Sequence, residues 1–504
     1  MPTSHGIDLE FADLPLARLA STALQRAQDL KVEHADLRVE RLRTQHLQLR
    51  DGGLVDASEG DDVGFAVRVV HDGTWGFAAG VTLSVEDVVR VTEQAVRVAM
   101  VAKAITHERI ELAPEAVYAD ATWVSSYDVD PFEVSTPDKV AVLAEWSQRL
   151  LGAPSVDHVR ATVQQVRENK FYADSHGTTT TQQRVRINPQ FEVFGADHDR
   201  GLLDGMRTIA PPTGRGWEYL IDGAYDWDTE LAELPDLLSA KLAAPSVDAG
   251  RFDLVIHPSN LWLTIHESIG HATELDRALG YEANYAGTSF ATIDKLGSLE
   301  YGSRHLNITG DRTVEHGLAS IGFDDDGVGT QAWDIVKDGI LVGYQTDRRM
   351  AARMGWERST GCAFADSPGH IPIQRMANVS LAHSPEDIST EDLISQVERG
   401  IYIVGDKSWS IDMQRFNFQF TGQRFFAIEN GTLSHPLRDV AYQATTTDFW
   451  GSMEAVGGAD TWVLGGAFNC GKAQPGQVAP VSHGCPSALF RDVNVLNTTH
   501  EAGR

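Results

Sequence analysis

The chain has 504 residues, 42% of them hydrophobic and 22% charged, which describes a globular protein too long for one core and predicts two or three domains. A formal net charge of −29 argues against nucleic acid and anionic membrane as partners, and a solvated acidic surface accounts for it. No apolar run approaches the roughly 18 residues of a membrane span, and only three cysteines occur, which fits a reducing compartment better than a disulfide scaffold.

Met1 to Phe11 has neither the basic start nor the apolar core of a signal peptide, so a cytoplasmic location is expected. Asp13 is placed to cap a helix whose apolar stripe is Leu16, Leu19, Leu24, Ala27 and Leu30. Alternating segments follow at 37–39, 47–49 and 65–70. The Asp51-Gly52-Gly53 and Asp72-Gly73 turn signals make them an antiparallel meander. Ser84 and Asp87 open the next helix in a capping-box-like arrangement.

A second region begins near Asp130. Pro137 starts a helix carrying Val140, Leu143, Trp146 and Leu150. Strands are expected between Val159 and Phe194, broken at Ser175-His176-Gly177, and Pro211 to Gly216 is a loop. A further helix carries Leu231, Leu234, Leu238 and Leu242, with Pro235 in its first turns or at a kink.

The third region starts near Gly250. Phe252 to Ile256 reads as a strand, and Pro258-Ser259-Asn260 ends it and caps a helix. Asp338-Gly339 and Asn430-Gly431 mark hairpins in a Gly-rich remainder. The fold class expected is α+β: a sandwich-like N-terminal region with antiparallel sheets, and a β-rich mixed C-terminal domain with a metal-binding helix. The domains expected are 1–115, 116–248 and 249–504.

That helix contains His266-Glu267-Ser268-Ile269-Gly270-His271. Imidazole is the commonest protein ligand for zinc, and an adjacent carboxylate can act as general base on a metal-bound water. The familiar H-E-x-x-H motif puts its histidines on one helical face. Here they are five residues apart. In a regular α-helix, at roughly 100° per residue, that sets them roughly 140° apart. A π-type bulge would bring them together, and Gly270 would make the distortion less costly. Two unrelated polar residues on a half-buried helix is the other reading.

A catalytic zinc usually has three protein ligands and an open position. Glu274 and Asp276 could ligate, but fit better as hydrogen-bond acceptors behind a ligating histidine. Cys470, flanked by glycines and with Lys472 to stabilise a thiolate, leads Cys362 and Cys485 only modestly. A closed structural site adding His483 or Cys485 is also open.

The pattern His266, Glu267, His271, Glu274, Asp276 resembles the signature of the TldD branch of the TldD/PmbA family. Asp72 to Phe77, Tyr127 to Pro131, Arg375 to Asn378, Asn417 to Phe420 and Cys470-Gly471-Lys472 match as well, so the resemblance runs from about Asp36 to about Asn497. It implies a cytosolic zinc metallopeptidase acting on unstructured peptides, in peptide degradation or precursor-peptide maturation. It implies one zinc on His266, His271 and Cys470, with Glu267 as general base assisting attack by zinc-bound water. It also implies a PmbA/TldE-like partner subunit in a heterodimer, with a homodimer as the alternative. One departure is the spacer Ala473-Gln474-Pro475 before Gly476-Gln477, longer than the short form associated with the family. A thiolate ligand donates more charge than imidazole and should weaken the Lewis acidity of the zinc. The alternatives are a zinc hydrolase of small amides and a non-catalytic zinc-binding partner protein.

Overall fold

The structure is a computed structural model describing residues 5–473 and 476–501. Met1 to Ser4 of the N-terminal stretch, and Gln474 and Pro475 of the long spacer, lie outside the described residues. The fold is mixed α+β, as the patterning predicts.

Two long strands, His34–Arg50 and Gly53–His71, are joined through Asp51-Gly52, whose φ values of 52° and 79° suit a tight hairpin turn. The expected segments 37–39 and 47–49 are therefore one strand. Its middle is polar but buried: Arg41 is held by Asp61, and Gln45 accepts from Lys139. Alternation alone could not show that these polar groups are satisfied inside the protein.

The sheet runs in the order Thr74–Gly80, Gly53–His71, His34–Arg50, His158–Asp174, Thr179–Asp197, Ala121–Val124, with Leu202–Arg207 also paired to Thr179–Asp197. Only the edge strand Ala121–Val124 pairs in parallel. Helices Leu16–Asp29 and Val85–Ala102 build a core on Leu37 and Val39, while Thr136–Leu151 and Trp227–Ala243 build another on Leu47 and Leu49 of the same strand. Ser84 accepts from the Asp87 amide as expected, and Pro137 lies in the first turn of its helix. Asp13 does not cap the helix Leu16–Asp29. It ends the short helix Leu9–Ala12, and Pro15 takes the cap position without a side-chain bond. Pro235 lies inside its helix.

In the C-terminal half five strands close on themselves. Gly250–Ile256 pairs in parallel with Arg399–Ile411 and antiparallel with Ala488–Asn497; Val440–Thr445 and Asn417–Glu429 complete the circuit back to Arg399–Ile411. Closure leaves these strands no free edge. Phe418, Phe420, Tyr442, Phe449 and Phe490 are buried in the associated core. A separate hairpin, Val463–Lys472 with Gln477–Cys485, carries Cys470 and His483. Among the described residues no helix is long and apolar enough to cross a membrane.

Candidate metal centre

The motif helix grows directly from a ring strand. After Gly250–Ile256, His257 turns the chain and accepts the Ser259 amide on Nδ1 at 3.2 Å, so the cap is one residue earlier than expected. Pro258 then sits in the first turn, where its missing N–H costs nothing. Asn260 anchors the helix by donating to the Gly405 and Thr421 carbonyls at 3.0 and 2.9 Å.

The α-helix Pro258–Ile265 passes into a π-helical turn over His266–Gly270, where the His271 amide donates to the His266 carbonyl five residues back. This extra residue per turn brings the two histidines together, with ring centroids 4.7 Å apart. Side chains from distant segments, and Thr273 from the next turn, hold the distortion. Tyr301 donates to the Ser268 carbonyl at 2.5 Å, Gln345 to the Gly270 carbonyl at 2.7 Å, and Thr273 to the Ile269 carbonyl at 2.9 Å. The Trp450 indole donates to Ser268 Oγ at 2.9 Å. Gly270 has an ordinary helical φ of −52°, so its value is space and not conformational freedom: a Cβ there would meet Met376 Sδ at 2.4 Å.

Cys470 completes the cluster. One donor atom each from His266, His271 and Cys470 lies within 4.8 Å of the others, and all three residues are buried. Cys470 Sγ is 3.4 Å from His271 Nε2. Burial pushes the Cys470 thiol up, but His271 and the buried Arg375 outweigh it and hold it below its ordinary value. Cys362 Sγ instead lies 3.6 Å from Thr360 Oγ1, and Cys485 Sγ lies 3.7 Å from the Pro258 carbonyl; burial pushes both thiols up.

Hydrogen bonds behind the histidines fix their tautomers. His271 Nδ1 donates to Glu274 Oε2 at 2.9 Å. His483 Nδ1 donates to the Val379 carbonyl at 2.8 Å, which leaves its Nε2 bare to accept from His266 Nδ1 at 2.7 Å. Both cluster histidines therefore keep Nε2 free of a proton. Burial pushes His266, His271 and His483 below the usual histidine range, which favours the neutral rings. Burial alone would raise Glu274, yet Lys472, His271 and Arg277 hold its carboxyl well below the carboxylate range. Two neutral imidazoles with free Nε2 atoms and an acidified thiol are a donor set suited to a borderline-soft divalent ion.

The other expected residues fall around this cluster. Lys472 does not face the thiol. Its ammonium bonds Glu274 at 3.1 Å and Asp276 at 2.8 Å, so it acts behind His271. Asp276 touches that lysine and no histidine. Glu267, on the same π-turn, pairs with Arg415 at the tip of the loop between Arg399–Ile411 and Asn417–Glu429. Arg415, Gln345 and Tyr301 carry no local pattern by which sequence reasoning could have assigned them to the motif, and His483, open in the sequence as a fourth ligand, instead bonds His266 Nδ1.

This is a mixed α+β protein whose ring-anchored π-turn carries a buried His-His-Cys cluster that could hold a metal ion. Residues 249–497 match the model of the PmbA/TldA metallopeptidase C-terminal domain, and residues 35–99 match that of PmbA/TldA metallopeptidase domain 1, together more than half of the chain. The chain belongs to the PmbA/TldD metallopeptidase family. It is 27% identical over 475 residues to a metalloprotease of Methanothermobacter thermautotrophicus, covering 93% of this chain and 96% of that one. It is 23% identical to a zinc metalloprotease TldD homolog of Saccharolobus solfataricus, covering 94% and 98%. The crystal structure of TldE from Thermococcus kodakarensis shares the fold, with a TM-score of 0.72 at 16% identity over 94% of this chain and 99% of that one.

Proposed function

We propose that this protein is a zinc-dependent peptidase that hydrolyses unstructured peptides, with Glu267 as general base. The observation that carries the reading is the convergence of His266, His271 and Cys470 on one point, with Glu267 on the same π-turn. A zinc ion held by these three residues would polarise the scissile carbonyl and acidify water. Glu267 takes a proton from the attacking water on its carboxylate and passes it to the leaving amine. Glu274 and His483 hold the imidazoles in the tautomer that leaves Nε2 available, and Arg415 holds the Glu267 carboxylate in place. A TldE-like second subunit, or a second copy of this chain, completes the active form on this reading.

Two features favour an open catalytic site over a closed structural one. His483 Nε2 is already engaged with His266, and Cys485 faces the Pro258 carbonyl. The test is metal analysis with peptide assays on the purified protein, alone and with a TldE-like partner. The expected result is about one zinc per chain and cleavage of a free peptide that chelation abolishes, with the same sequence spared inside a stable domain. Absence of zinc, or equal cleavage of both substrates by a monomer, would overturn it.

A further inference from the structure

A second site lies away from the metal cluster. A cavity of about 250 Å³ opens where the edge strand Ala121–Val124 and strand Thr179–Asp197 meet the segment 312–321. Three buried arginines line it: Arg184, Arg186 and Arg312. Their charges are under-compensated. Arg184 and Arg186 share one carboxylate, Glu168, at 2.8 and 3.3 Å, while Lys170, 3.9 Å from it, is held by Asp325 at 2.8 Å. The Arg186 guanidinium has no other hydrogen bond among the described residues. Among the described residues Arg312 has no carboxylate within 4 Å and its Nη2 is buried without a partner; it donates to the Gly361 and Ala319 carbonyls. The one carboxylate lining the cavity, Glu315, is 74% exposed and faces His316. Ser125, Ser126 and Thr330 add hydroxyls, while Trp123, Val314 and Leu318 add an apolar wall. A buried guanidinium short of counter-charge is stabilised by an anion that brings its own acceptors.

We propose that this cavity binds a small oxyanion, a carboxylate or a phosphate, held by Arg186 and Arg312. Burial followed by the neighbouring Arg184 depresses Arg186 to about 10, in line with a cation that shares its one carboxylate with a second arginine. The site is separate from the metal cluster. None of its lining residues is a cluster ligand; Leu318 on its wall packs against Phe468, two residues before Cys470, and its amide bonds Ser482 Oγ, one residue before His483. The apolar wall suits a carboxylate with a hydrocarbon body, and a phosphate would use the charged end alone.

The test uses the full chain at low ionic strength with three probes: acetyl-leucine, its neutral amide, and inorganic phosphate. Calorimetry should show saturable binding of acetyl-leucine, of phosphate, or of both, and none of the amide. Acetyl-leucine alone would identify a carboxylate with an apolar body; phosphate alone would identify a free oxyanion. Arg186→Gln and Arg312→Gln should each weaken binding roughly tenfold or more. Hydrogen exchange on the unaltered protein keeps the test valid if a variant fails to fold, because ligand should slow exchange in 123–126 and 312–321. Protection confined to 266–271 would place the anion at the metal cluster and overturn the proposal. So would no saturable binding of either anion, or unchanged affinity in folded Arg186→Gln.

Discussion

His266 Nδ1 lies 2.7 Å from His483 Nε2, and His483 is itself fixed by the Val379 carbonyl. The proton on this contact belongs to His266, because His483 Nδ1 must donate to a carbonyl and the buried ring is neutral. His483 thus presents His266 Nε2 to the cluster without joining it. His483→Phe should keep the fold yet weaken zinc binding about 10- to 100-fold, the usual effect of losing such an orienting partner. Competition with a chromophoric chelator measures this, alongside a thermal melt. Unchanged zinc affinity would remove His483 from the positioning role.

The π-turn depends on space at Gly270. A methyl group there would stand 2.4 Å from Met376 Sδ in a packed interior. Gly270→Ala should therefore destabilise the protein by about 1–3 kcal/mol, the range for overpacking. Urea unfolding gives the value. Combining it with Met376→Ala should cost less than the two losses added together, because the shortened side chain vacates the room the methyl group needs. Strict additivity would show that the two residues do not compete for that space.

Much of the scaffold is encoded locally and was legible for that reason. Ser84 with Asp87, Asp338-Gly339 and Asn430-Gly431 each specify a cap or turn through residues that are neighbours in the chain. The two motif histidines are also close in sequence, so their spacing calls for a π-type distortion if both are to face one metal. What holds that distortion was not legible, because Tyr301, Gln345 and Trp450 arrive from distant segments. Cys470 meets His271 across 199 residues, and only the resemblance to a family set it clearly above the other two cysteines. Lys472 was read as a neighbour of the thiol because it lies two residues away, but tertiary packing turns its ammonium to Glu274 and Asp276.

Acid should loosen the motif helix through its cap. His257 uses a bare Nδ1 to accept the Ser259 amide, and burial, followed by Arg424, lowers it to about 4. The folded value lies below the unfolded value of about 6.5. The protein therefore gains full stability from this group above about pH 6.5 and loses it as pH falls through about 4. The loss is on the order of 3 kcal/mol. His257→Asn keeps a capping acceptor that does not titrate. Urea unfolding between pH 7 and pH 4 should show a steeper decline in the unaltered protein than in His257→Asn, and parallel curves would refute the assignment.

Glu267 and Arg415 form the buried pair beside the cluster, with side chains 7% and 14% exposed. Arg415 reaches Glu267 from a loop residue with φ of 63°, a conformation that its neighbours fix: Thr446 donates to the Arg415 carbonyl at 2.8 Å, and Thr288 donates to that of Met413. Removing the arginine alone strands a buried carboxylate, so Arg415→Gln should cost on the order of 3–5 kcal/mol. Adding Glu267→Gln removes the stranded charge and should restore most of that stability. Turnover should follow a different pattern, since the proposed base is lost in both variants that carry Glu267→Gln. Each should fall about 10²- to 10⁴-fold with zinc content unchanged. Unfolding curves, metal analysis and peptide cleavage on the two single variants and the double variant separate the two roles. Substantial cleavage by Glu267→Gln would remove it as the base, and a double variant no more stable than Arg415→Gln would mean that the pair does not act as a unit.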